Sequence, residues 1–143
     1  MKVKVKKLHK EAKIPTFGTE DSAGMDLYVL EGTQIYPGVT EMFRTGISME
    51  IPKGYVGLIF ARSSTAGKKD LAPANKVGVI DSDYRGEVLI PLHNHGKNIR
   101  TVETGERVAQ MVIVKHAKID LEEVDELSET NRGEGGFGST GKL

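Results

Sequence analysis

Three stretches of this chain gather side chains suited to a phosphate-bearing substrate. Arg62, Ser63, Ser64, Thr65, Ala66 and Gly67 set a guanidinium beside two hydroxyls, where a short turn of helix is expected from Ser63 to Lys68. Charge and free amide donors there suit phosphate oxygens, although capping of the helix by serine explains the hydroxyls equally well. The run Gly78, Val79, Ile80, Asp81, Ser82, Asp83, Tyr84, Arg85, Gly86 delivers a carboxylate and a phenol from an apolar strand into a turn. A carboxylate so placed can take a proton from water; an ordinary acidic hairpin turn is the plainer alternative. Near the C-terminus, Arg132, Ser139 and Thr140 stand among flexible glycine amides able to wrap an oligophosphate, while Phe137 covers a flat ring. A disordered tail is the alternative there.

Several familiar patterns fail on chemical grounds. Gly133, Gly135 and Gly138 spell a dinucleotide fingerprint, and Gly136, Gly141 and Lys142 the start of a phosphate loop, but no helix follows either. Asp81, Asp83 and Gly86 resemble a calcium loop in which Arg85 takes a ligand position and Leu92 the place of the bidentate glutamate. His93 and His95 lack thiolates and a nearby third imidazole, so they read as a surface turn rather than a zinc site.

The elements that must position these groups are β-strands. Val3 and Val5 alternate with lysines, Ile47, Met49 and Ile51 with Ser48 and Glu50, and Val56, Leu58 and Phe60 share a parity. Further β-type runs are Leu27 to Leu30, Gln34 to Tyr36, Val77 to Ile80, Val88 to Ile90, Ile99 to Val102 and Val108 to Val114. Glycine or proline punctuates most gaps, and short strands so spaced predict a sandwich or barrel. Leu121, Val124 and Leu127 keep a helical option open after the last strand. Residues 1–13 carry six lysines against one glutamate, and 119–131 six acids and no base; two solvated strands are the plainer reading, and a pairing of the first strand with the acidic segment would fit the opposite charges. Residues 1–131 read as one β domain, and 132–143, with five glycines and few large apolar side chains, as a flexible lid.

Composition narrows the functions available. Twenty basic and twenty acidic side chains in 143 residues cancel, leaving no global field to gather nucleic acid or anionic lipid. No run reaches the roughly 20 apolar residues of a membrane span, and no secretory segment opens the chain. The absence of cysteine excludes disulfides and thiolate chemistry and suits a cytoplasmic location.

Five segments, in this order, resemble those of the trimeric dUTP pyrophosphatases (dUTPases). They are Ala23 to Tyr28 (AGMDLY), Arg62 to Ala66 (RSSTA), Gly78 to Gly86, Gly105 to Met111 (GERVAQM) and Arg132 to Gly141. Each is weak alone, but five in register over nearly the whole chain are specific. Ala61 departs from the family, which usually has proline there, without removing a functional group. The resemblance implies an all-β, jelly-roll-like barrel or sandwich with at most one short helix, a homotrimer with shared active sites and a flexible C-terminal arm. It implies hydrolysis of dUTP to dUMP and pyrophosphate by water attack at the α-phosphorus, with Mg2+ on the triphosphate. Such an enzyme keeps uracil out of DNA and supplies dUMP for thymidylate synthesis.

Residue roles come with the resemblance. Asp81 is the general base, and Gln110 holds the attacking water from its other side. Arg62, Ser63, Ser64 and Arg107 bind or position phosphate oxygens, and Asp26 reaches the metal through water. Arg132, Ser139 and Thr140 close over the outer phosphates while Phe137 stacks on uracil. Tyr84 lies beneath the deoxyribose and leaves no room for a 2′-hydroxyl; the hairpin around Asn75 and Gly78 and the strand near Leu89 read uracil, largely through backbone groups. Two rivals remain: a dCTP deaminase-type enzyme on the same fold, which needs a glutamate at the base, and a nucleotide-responsive regulatory trimer.

Overall fold

The computed structural model describes residues 1–142, and among them the chain forms twelve strands and one short helix. The strands are β1 (Lys4–Lys7), β2 (Thr16–Phe17), β3 (Met25–Tyr28), β4 (Thr33–Ile35), β5 (Thr40–Arg44), β6 (Ile47–Glu50), β7 (Tyr55–Ala61), β8 (Leu71–Pro73), β9 (Gly78–Ile80), β10 (Leu89–Asn94), β11 (Arg100–Val102) and β12 (Arg107–Lys115). The helix, α1 (Ser63–Lys69), lies between β7 and β8. All pairings are antiparallel. A five-stranded sheet runs β2-β3-β12-β7-β9 and a three-stranded one β5-β10-β8, while β1-β6 and β11-β4 form two ribbons. The all-β expectation with one short helix holds.

Alternation decides which side of each strand is buried. Leu27 of β3, Ile59 of β7, and Val108 and Met111 of β12 turn inward, where they meet Phe43, Ile47, Ile90 and Leu92 from the other strands. Burying each such side chain contributes about 1.5–3 kcal/mol, which is what fixes the register of short strands.

Three sequence expectations are corrected. The first strand does not face the acidic segment: β1 pairs with β6, setting Val5 opposite Met49 and Lys4 opposite Glu50, with a 3.1 Å salt bridge. Apolar matching on the inner side outweighs charge attraction between exposed groups, which is worth about 0–1 kcal/mol. The helical option after β12 also fails. Residues 116–131 hold no helix or strand, and Leu121, Val124 and Leu127 are exposed. Third, α1 is capped by Arg62 in extended conformation with no side-chain cap bond, so neither Ser63 nor Ser64 acts as its cap. Residues 132–142 lie mostly exposed in local turns; Leu143 falls outside the described residues. No helix among the described residues is long and apolar enough to cross a membrane.

Candidate active site

The site is assembled on the outer face of the five-stranded sheet by its register. Asp26 of β3 stands opposite Gln110 of β12, which on its other side stands opposite Phe60 of β7; Thr16 of β2 is opposite Asp26. Tyr28, two residues beyond Asp26 and therefore on the same face, pairs with Arg107. Arg107 and Gln110 are three apart, a spacing that sends two side chains of a regular strand to opposite faces. A β-bulge resolves this. The register of β12 shifts between Arg107 and Ala109, so Val108 is an extra residue, and Arg107 and Gln110 emerge together.

Asp26 is the centre of the charge arrangement. It is 8% exposed, and each carboxylate oxygen is taken by a different guanidinium: Arg62 Nε donates to Oδ1 at 2.8 Å and Arg107 Nη1 to Oδ2 at 3.1 Å. Arg62 Nη1 also donates to Ser64 Oγ and to the Arg107 carbonyl, both at 3.3 Å. A buried carboxylate needs such partners, and in return it fixes two cations that flank the serine turn. One carboxylate against two guanidiniums leaves the group positive, ready for an anion.

Two clefts open on either side of Arg62. One, of about 400 Å³, is lined by Gly24, Asp26, Arg62, Ser63 and Gln110 together with Ser22 and Phe60. The other, of about 370 Å³, is lined by Tyr28, Arg62, Ser64, Lys68, Lys69, Glu106 and Arg107. Gln110 donates its Nε2 proton to the Ala61 carbonyl at 3.1 Å, which leaves Oε1 as a free acceptor on the cleft side, beside Gly24. A Cβ at Gly24 would lie 2.5 Å from that oxygen, so only glycine leaves Gln110 its place.

The third segment is elsewhere. Asp81 follows β9, whose Ile80 pairs with Gly57 near the start of β7, and it lines a separate cleft of about 740 Å³ with Asp83, Arg85, Lys53 and His116. Tyr84 is held in its turn by a bond from its hydroxyl to the Glu87 carbonyl at 2.9 Å, and its ring occupies the space a Cβ of Gly86 would need. Asn75 lies against Gly78 in the loop between β8 and β9, which is not the hairpin expected from the sequence because β8 pairs with β10 and β9 with β7; Leu89 is exposed on β10. In the tail, Arg132 Nε donates to the Gly135 carbonyl at 2.8 Å, and Phe137 is fully exposed with φ of 50°. One copy of the chain thus brings together Asp26, Arg62, Ser63, Ser64, Arg107 and Gln110. It leaves Asp81 with Tyr84, and Phe137 with Arg132, Ser139 and Thr140, as two further groups.

Sequence reasoning missed the bulge at Val108 and the Asp26 bridge between Arg62 and Arg107. The consecutive buried pair Val108 and Ala109, which breaks strict alternation, is the trace the bulge leaves in the sequence. Among the described residues no three His, Cys, Asp or Glu side chains cluster as a metal cage. With both Asp26 oxygens engaged by arginine, the donor set does not make a resident metal site.

Comparison with known proteins places the chain in a family. The dUTPase family model matches residues 10–141. The deoxyuridine 5'-triphosphate nucleotidohydrolase of Nautilia profundicola is 46% identical over 142 residues, covering 99% of this chain and 100% of its own. A variant dUTPase of Staphylococcus bacteriophage 80alpha, solved with dUpNHpp, superposes with a TM-score of 0.89 at 30% identity over 99% of both chains. A variant dUTPase of phage phi11 of S. aureus, with a TM-score of 0.79 and 26% identity over 88% of this chain and 98% of its own, coordinates a structural Mg(II) ion. On the family match, the near-complete alignment and the shared fold, the chain belongs to the dUTPase family.

Proposed function

We propose that this chain hydrolyses dUTP to dUMP and pyrophosphate, working as a homotrimer in which each site draws on more than one copy. The substrate in this reading is the magnesium complex of dUTP. The ion arrives on the triphosphate, where it neutralises phosphate charge, and meets Asp26 through its own water shell, as suits a cation that keeps several waters.

The chain's own residues do the rest. Arg62 and Arg107, held in place by Asp26, face the phosphates together with the hydroxyls of Ser63 and Ser64, so their orientation is settled before substrate binds. Gln110 Oε1 accepts a hydrogen bond from the attacking water. Asp81 of another copy takes that water's proton as it attacks the α-phosphorus. Tyr84, braced against Gly86, forms the floor under the deoxyribose, and the Asn75–Gly78 loop with Leu89 reads uracil. Arg132, Ser139 and Thr140 close on the outer phosphates while Phe137 stacks on the base, which excludes bulk water.

The observation that carries the reading is the joining of three distant segments at Asp26 and Gln110, with the free acceptor of Gln110 and two oriented guanidiniums beside one cleft. The test is pyrophosphate release from dUTP, UTP, dCTP, dTTP and dATP, with and without magnesium, alongside an ammonia assay. Release from dUTP alone, dependent on magnesium and without ammonia, is expected. Ammonia from dCTP, or no turnover of dUTP, would overturn the reading.

A further inference from the structure

Glu106 is an acid in a cleft otherwise furnished for an anion. It shares that cleft with Arg62, Ser64, Lys68 and Arg107 and stands next to Arg107 in sequence. An unpaired carboxylate there would repel a triphosphate and compete for the guanidiniums meant to receive it. Its two oxygens, however, are both occupied. Oε1 forms a salt bridge with Lys69 Nζ, and Oε2 accepts the backbone amide of Glu103 at 2.8 Å. Lys69 in turn donates to the Thr101 carbonyl at 3.1 Å, so it is held from β11 as well. The pair is half-buried, with the side chains 33% and 25% exposed, so solvent screens it less than a fully exposed pair.

We propose that Lys69 is a positioning residue for the triphosphate: it neutralises and immobilises Glu106, keeping the cleft between Ser64 and Arg107 positive. The contrast with Lys68 supports the assignment. Lys68, the preceding residue on α1, is exposed and has no carboxylate partner among the described residues, whereas Lys69 turns back across the end of the helix to reach Glu106. The same contacts tie the last turn of α1, whose first turn carries Ser63 and Ser64, to the turn that launches Arg107. Serine hydroxyls and guanidinium therefore arrive at a fixed spacing.

The proposal rests on the dUTPase reading above, and the experiment separates the two. If the parent protein fails to hydrolyse dUTP, that reading fails before any variant is compared; in an active parent, the pattern among variants bears on Lys69 alone. Steady-state dUTP hydrolysis is measured for Lys69→Met, Glu106→Gln and the double variant, with inorganic tripolyphosphate as a competitive inhibitor and thermal unfolding as a check on folding. Lys69→Met is expected to raise KM and the tripolyphosphate inhibition constant about tenfold while kcat changes less than about twofold, because substrate capture is weakened and the chemistry is not. Glu106→Gln alone should leave KM at or below the parent value, and adding it to Lys69→Met should bring KM back to within about threefold. An unchanged KM in Lys69→Met, or a double variant as weak as the single one, would overturn the proposal. Should Lys69→Met not fold, Glu106→Gln still decides: a KM well above the parent value overturns it.

Discussion

Asp81 and Arg62 stand at opposite ends of β7. Ile80 pairs with Gly57, Asp81 follows it beyond the start of that strand, and Arg62 follows Ala61 at the strand's far end. The five steps from Gly57 to Arg62 span about 17 Å at roughly 3.3–3.4 Å each. A carboxylate at one end cannot deprotonate a water held beside a phosphate at the other, since a base must come within about 3 Å of the proton it takes. If Asp81 is the general base, as proposed, it acts at phosphate groups held by another copy.

Complementation tests this directly. Asp81→Asn should lower kcat by about 10²- to 10⁴-fold, the usual worth of a general base, and Gln110→Ala should also be impaired. Refolded together in equal amounts, the two variants should recover about a quarter of parental activity, the share of sites drawing both residues from unmutated copies in a symmetric ring. Activity of the mixture no higher than the average of the two variants would mean that both residues act from one chain.

Asp26 holds Arg62 and Arg107 side by side. Replacing it with Asn keeps its size but removes the charge shared by Arg62 and Arg107, leaving two guanidiniums side by side with weaker partners. Asp26→Asn should lower stability by about 1–3 kcal/mol, as for loss of a charged acceptor in a partly buried network. It should also raise KM for dUTP, because the arginines no longer arrive pre-aimed. Chemical denaturation and steady-state kinetics measure the two effects; a variant equal to the parent in both would remove Asp26 from the centre of the site.

The Gly24 contact makes a narrower prediction. A methyl at that position would lie 2.5 Å from Gln110 Oε1 and must push the amide off the cleft. Gly24→Ala is expected to cost about 10- to 100-fold in kcat, in line with a displacement of about 1 Å at a reacting group, with the thermal midpoint little changed. Full activity in that variant would show that Gln110 Oε1 is not the water's acceptor.

How much of this was legible beforehand follows from what each residue had to say locally. Ile47 to Ile51 and Val56 to Phe60 declared themselves by their period of two, but the period misplaced the core: Ser48 is buried beside Ile47 and Met49, and in β7 Gly57 and Ile59 are buried while Val56, Leu58 and Phe60 are half-buried. Three strands did not declare themselves. β2 is two exposed residues, Thr16 and Phe17; β5 buries only Phe43 firmly, so no period forms; and β8 includes Pro73, which argues against a strand. β10 was expected to stop at Ile90, before Pro91, yet it continues to Asn94, with Pro91 where β5 pairs but the β8 register has not begun. In the site, Asp26, Arg62, Arg107 and Gln110 were each found by motif resemblance. Their mutual geometry was not, since it depends on a bulge and on cross-strand register, which are tertiary facts. The Lys69–Glu106 pair, 37 residues apart, left no local signal at all.

Tyr84 carries the prediction on sugar selectivity. Its hydroxyl is tied to the Glu87 carbonyl and its ring fills the room above Gly86, so the ring is braced rather than free to swing away. Tyr84→Ala should narrow the ratio of kcat/KM between dUTP and UTP by at least about tenfold, because rejection by a rigid floor disappears with the floor. Tyr84→Phe keeps the ring and should keep most of the discrimination. Equal ratios in parent and alanine variant would place the sugar reader elsewhere.

The tail separates folding from catalysis. Residues 132–142 bury no large side chain, and their hydrogen bonds are short-range, such as Arg132 Nε to Gly135 and Gly133 N to Thr130 Oγ1. Gly133, Gly138 and Gly141 adopt positive φ, and Phe137 is exposed at φ of 50°. Such a segment contributes little to the stability of the β domain, so deletion of 132–143 should shift its unfolding free energy by less than about 0.5 kcal/mol, the range of surface changes. Catalysis should respond very differently. If the tail closes over the phosphates and Phe137 covers the base, the truncated protein keeps Asp81, Gln110 and the Asp26 group yet loses its barrier to bulk water, and kcat/KM should fall at least about 100-fold. Phe137→Ala in the full-length chain should reproduce part of that loss, chiefly in KM, since stacking on the base is worth about 1–3 kcal/mol. Size-exclusion chromatography of the truncated form measures assembly independently of turnover: an intact oligomer with parental kcat/KM would take the tail out of the mechanism while leaving the shared site standing.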